Sequence, residues 1–168
     1  MAPTTAAVSN YIGSGGPQAG YTCGTAYVPC DNVACPCFFS SYVVDSTPGL
    51  SRGMMHNFPD RISIRDVTDG TSNTLYIGEN KIYNGTIGNQ YGAWTGACFQ
   101  ETSTATGINN KTVTEGYYQN SHRFASYHVG GAHFLLVDGS VRFISENVSL
   151  ATLGALGTKS GNEVVGDF

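Results

Sequence analysis

Three histidines, at 122, 128 and 133, fall within twelve residues, and Asp138 follows them closely. Imidazoles and a carboxylate are what a zinc site or a general-base pair is made from. The spacing speaks against a shared face, because residues on one side of a strand lie an even number apart. His128 and His133 are five apart, with Gly130-Gly131 between them. Neither a His-Glu-x-x-His pattern nor a Gly-x-Ser-x-Gly elbow occurs. The favoured reading is structural: His128 and Asp138 brace a hairpin from its two ends by hydrogen bonds, and no catalytic or metal residue is assigned here.

A second group of donors is oxygen-rich. Asp66, Asp69, Thr71, Ser72 and Asn73 lie within eight residues, and clustered carboxylates and amides suit Ca2+. They match no twelve-residue calcium loop, and Asp-Gly-Thr-Ser-Asn is also a turn held by bonds from its side chains to its own backbone. The turn reading is preferred, with Asp66, Asp69 and Asn73 kept as the candidate Ca2+ ligands and no other cofactor implied. The glycine run Gly13 to Gly16 lacks the Lys-Ser/Thr of a phosphate loop.

Cysteines stand at 23, 30, 35, 37 and 98. Four of them crowd into one loop-like stretch without zinc-finger or redox spacing, so disulfides within Cys23, Cys30, Cys35 and Cys37 are expected, and with them an oxidising, exported location. Cys35 and Cys37 are poorly placed to bond each other across Pro36, which leaves Cys23 and Cys30 as their partners in either pairing. Three glycosylation sequons begin at Asn84, Asn110 and Asn147.

The elements that would position these residues are short. Residues 1–58 are broken every few positions by Gly or Pro and read as loop with short strands, the clearest at Phe38 to Val44. Ser63 caps a helical turn, Asp69 to Asn73 is a dense turn, and strands are expected over Thr74 to Gly78 and Tyr91 to Phe99. Ala132 to Ser145 reads as a hairpin around Asp138-Gly139. A two-residue turn there pairs Leu136 with Val141 and Phe134 with Phe143, making those four residues a core face. His133, Leu135, Val137, Arg142 and Ile144 then share the other face. Ser149 can cap a short helix carrying Leu150, Leu153 and Leu156, with Gly157 at C′.

Composition removes several classes. The 168 residues carry only 8 Lys+Arg and 12 Asp+Glu, or 12% charged, about half the usual share of about 25%. With a net charge of −4 and no basic cluster, nucleic acid is not an expected partner. Glu/Lys-rich heptads are absent, and 40% apolar content is too high for a disordered chain. No run of about 18 apolar residues exists to span a membrane. The 22 glycines and 10 tyrosines fit short strands joined by many turns, a mostly β (α+β) fold.

Three ordered stretches together resemble one family: Asp69-Gly70-Thr71-Ser72-Asn73-Thr74 running into Gly78-Glu79; His128, nine residues, then Asp138-Gly139-Ser140-Val141-Arg142-Phe143; and the tail Ala155 to Val165. This is the bacterial prepilin-type, processing-associated family, also described as a solute-binding-like domain of unknown function. The resemblance spans roughly residues 60–168, with a weaker echo at Ser9-Asn10-Tyr11 to Gly16. It implies export and a pilin-like globular domain with an antiparallel sheet, a C-terminal β-hairpin and short helices, without known catalytic residues. The prepilin cleavage motif and its apolar helix are missing, so the expectation is the globular part alone.

The chain is therefore expected to be one globular domain over 1–168, a loop-rich, cysteine-stapled segment (1–58) followed by a β-rich family core (59–168). Its expected function is that of an exported, non-enzymatic structural subunit at the cell surface or outside it, packing against copies of itself in a filament, tube or layer. The alternative is an extracellular module that binds a glycan, a small solute or Ca2+.

Overall fold

The computed structural model describes residues 10–16, 20–23, 26–29, 53–55, 62–81, 101–109, 123–163, 165–166 and 168. Expectations on Phe38 to Val44, on Tyr91 to Phe99 and on His122 lie outside these residues. Strands β1 (Tyr11–Gly16), β4 (Leu75–Glu79), β5 (Glu101–Ile108), β6 (Arg123–Phe124), β7 (Gly131–Leu136) and β8 (Val141–Ser145) form one sheet in the order β6-β5-β1-β4-β7-β8. Strands β2 (Gly20–Cys23) and β3 (Ala26–Pro29) pair as a separate antiparallel ribbon. From β1 to β8 the sheet is antiparallel, as expected from the sequence. Its other flank differs, because β5 runs parallel to β1 and β6 parallel to β5.

One face of the sheet is the core. Ile12, Leu75, Ile108, Phe124, Ala132, Phe134, Leu136 and Ile144 point into it, together with Leu153 and Leu156 of helix α1 (Leu150–Gly157), which lies across β5 and β1. Phe124 and Phe134 meet edge to face at 4.8 Å between ring centroids. Gly78 underlies both: a Cβ there would sit 2.5 Å from Phe124 and 2.6 Å from Phe134, so only glycine lets the two rings close over β4.

The hairpin forms where Asp138-Gly139 places it, but its register departs from expectation by one residue. Leu135 pairs with Val141, Phe134 with Arg142 and His133 with Phe143. Gly139 N–H bonds to Leu136 O at 3.0 Å, Leu136 N–H bonds to Ser140 O at 2.9 Å, and Gly139 has φ 88. Three residues, Val137 to Gly139, thus make the loop, with the glycine alone in the left-handed region as the bulge residue. A slip of one residue flips every side chain of a strand. Ile144 is accordingly buried at 1% exposure, while Val141 and Phe143 are 63% and 45% exposed. Phe134 and Leu136 keep their expected inward positions.

Helix α1 starts as expected, with the Ser149 hydroxyl accepting from Thr152 N–H at 3.0 Å. Leu153 and Leu156 are buried, but Leu150 is exposed. Gly157 is the last helical residue and Thr158 follows as the cap, so the glycine is not a C′ residue. Its role is close approach: a Cβ would lie 2.8 Å from Thr104 Oγ1 on β5.

Candidate functional site

The first two sequence blocks that carry the resemblance end up in two clusters at opposite ends of β7. At the loop end, Gly70 (φ 97) opens a one-turn 3-10 helix, Thr71–Asn73. The hairpin tip lies on this turn, through Val137 N–H to Thr74 O and Asp138 N–H to Thr71 O, both 3.0 Å. On its other side the C-terminal tail is fastened by Asp69. Oδ2 accepts from Gly161 N–H at 2.6 Å and Oδ1 from Asn162 N–H at 2.8 Å, while Thr158 Oγ1 lies 3.2 Å from Oδ2. The lone pairs of Asp69 are thus turned toward amide donors.

The other two calcium candidates are engaged separately. Asp66 accepts from Ser63 N–H at 2.8 Å, closing the 3-10 turn Ile64–Asp66 that Ser63 begins. Asn73 N–H bonds to Gly70 O at 3.0 Å within its own turn.

Asp138 braces the loop. Its Oδ1 accepts from Ser140 Oγ at 2.7 Å and from Ser140 N–H at 2.8 Å. The hydroxyl bond first, and the amide bond second, hold this carboxyl below its ordinary value of 3.8. A group whose folded pKa is depressed stabilises above its unfolded pKa and loses that contribution as pH falls through the folded one. The Asp138→Asn variant is therefore expected to be less stable than the parent at neutral pH, with the gap closing as the medium is acidified below about pH 4. Urea unfolding across that range measures it; a pH-independent gap would remove the ionised carboxylate as its cause.

At the far end of β7 lies the second cluster, and it differs from the simple bracing expected of His128. Glu79 on β4 stands one residue beyond the Gly78–Phe134 pair, hence opposite His133 on β7. Its Oε2 accepts from His133 N–H at 2.7 Å and is 3.5 Å from His133 Nδ1. Its Oε1 is 3.2 Å from His128 Nε2. The two imidazoles meet edge to face at 4.9 Å, and Phe143 stacks edge-on against His133 from the next strand at 5.1 Å. Glu79 is 15% exposed, and His128 and His133 are 54% and 43% exposed.

The turn between the histidines brings them together. Gly130, at φ 85, reverses the chain so that residues an odd number apart converge. Ser126 fixes the loop: its Oγ donates to Gly131 O at 2.7 Å and accepts from His128 N–H at 3.0 Å. Ala125 N–H bonds to Glu79 O at 2.9 Å, tying the loop to β4. Asn109, at φ 52, accepts from Ser126 N–H at 2.9 Å and donates to Glu146 at 3.0 Å. Sequence reasoning weighed His128 with His133 and set the pair aside on strand spacing, which does not hold across the Gly130 turn, and it left out Glu79, whose link is a strand register between distant segments.

The remaining candidates are placed as follows. Asn147 is exposed between β8 and α1. Cys23 ends β2, and its side chain lies outside the described residues, as do Cys30, Cys35, Cys37, Asn84 and Asn110.

The fold and this site define a sheet-rich domain whose sequence blocks are used as clasps around one hairpin. The chain belongs to the family described as Protein of unknown function (DUF1559), which matches residues 41–151. The first two blocks of the resemblance fall inside that span, and the tail from Ala155 falls outside it. No curated protein and no solved structure matched the chain. Among the described residues no helix is long and apolar enough to cross a membrane.

Proposed function

We propose that the chain is an exported, non-enzymatic structural subunit of pilin-like build, packing against copies of itself into a filament, tube or surface layer. The observation that carries this reading is the outer face of the sheet. Tyr11 on β1 and Val141 and Phe143 on β8 are 62%, 63% and 45% exposed, and among the described residues β8 forms an edge of the sheet. An exposed apolar edge strand is a template for another chain, and natural monomers blunt such edges with charge or proline. Of the five residues of β8 only Arg142 is charged. A chain with 12% charged residues also resists close packing of copies weakly. The cysteines, the sequons and the resemblance to prepilin-type proteins support an exported setting.

Light scattering and electron microscopy of the native protein at rising concentration test it. Extended oligomers are expected, and Val141→Lys, which puts a charge on the edge, is expected to shift them toward monomer. A parent protein that stays monomeric at every concentration would sink the proposal.

A further inference from the structure

We infer that Glu79, His128 and His133 form a binding site for a borderline divalent transition metal, Zn2+ above all, independent of any assembly role. One carboxylate oxygen and two imidazole nitrogens are ligands that zinc accepts, and a three-residue set leaves a position for water or an incoming donor. Ca2+ and Mg2+ are poorly served, since they call for several oxygens.

The distances are close to those a bound ion requires. The three ligand atoms lie within 4.8 Å of one another, and the contact of Glu79 with His128 is 3.2 Å. Zinc bonds of about 2.0–2.1 Å in a tetrahedron put neighbouring ligand atoms about 3.4 Å apart. Contracting the group from 4.8 Å by about 1.4 Å at its widest would therefore close it around an ion. The donors are also held in advance. His133 N–H pins Glu79 Oε2 at 2.7 Å, leaving Oε1 toward His128, and Ser126 and Ala125 fasten the histidine loop to β7 and β4. Partners of this kind orient metal ligands and are worth 10–100-fold in affinity at known sites. With both imidazoles about half exposed, an ion can enter without opening the core. Once bound, it would tie β4, β7 and the 125–130 loop into one unit.

The test uses the full native protein, freed of metal by chelator and titrated with Zn2+ and then with Co2+, whose visible d–d bands report coordination. One ion per chain is expected, and at about a hundredfold excess over Kd the unfolding equilibrium should shift about a hundredfold toward the folded state, reversibly with chelator. His128→Ala, at an exposed position, should keep the parent's circular dichroism yet weaken Zn2+ by more than about a hundredfold, beyond the loss of a mere supporting partner. His133→Gln provides a second variant with the same expected loss. Absence of both d–d bands and stabilisation would overturn the site, leaving a hydrogen-bonded cluster. So would unchanged binding in both variants, or Co2+ spectra dominated by thiolate charge transfer, which would place the ion at cysteine.

Discussion

Truncating Phe134 to alanine is expected to cost about 3–5 kcal/mol of unfolding free energy, the range for a fully buried aromatic. The ring is 1% exposed and closes on Phe124 edge to face. What lies around it has little freedom to fill the gap: Gly78 has no side chain to move, and Leu75, Leu136, Leu153 and Leu156 are all fully buried. The loss therefore combines transfer of the ring, the cavity left behind and the aromatic pair itself. A urea titration should show a lower midpoint at unchanged slope. A loss under about 1 kcal/mol would mean that the core collapses onto the site, and that the edge-to-face contact of Phe124 with Phe134 contributes little.

The second large effect separates two neighbours. Ile144→Ala is expected to cost about 2–5 kcal/mol, and Phe143→Ala under about 1 kcal/mol despite removing the larger side chain. Ile144 is buried at 1% in the cluster with Phe134 and Leu136, whereas Phe143 lies half in solvent against the His133 ring. The reverse ranking would restore the two-residue turn, since only a register shifted by one exchanges the faces of β8.

That pair of residues also marks where reading the sequence stops. The location of the hairpin, the strand after Asp69–Asn73, the Ser149 cap and the inward Phe134 and Leu136 were all legible, because apolar alternation and turn residues are local signals. The hairpin register was not. Asp-Gly serves a two-residue turn with both residues at positive φ as well as a three-residue loop with Gly alone there. The choice is made by how Leu136 and Ile144 fit the core and by Val137 and Asp138 bonding to the 71–74 turn. The Glu79 site was illegible for a related reason. Its geometry rests on β4 lying beside β7 and on Gly130 turning His128 back, neither of which a spacing rule for one strand contains. Asp69 shows the opposite case: the Asp-Gly-Thr-Ser-Asn block was readable as a turn, but its carboxylate reaches forward to Gly161 and Asn162 at the far end of the chain.

The position of β1 in the sheet sets an order in time. This strand lies between β4 and β5, paired through Tyr11–Glu79 on one side and Gly13–Glu101 on the other. During synthesis it leaves the ribosome ahead of both neighbours, and neither exists until the chain has grown past residues 75 and 101. The β7–β8 hairpin, by contrast, closes across three residues as soon as it is made. Closing the middle of the sheet is thus its most non-local step, the kind that carries the largest chain-entropy cost before any contact rewards it. Among the described strands of this sheet, the one made first must wait for partners made long after it.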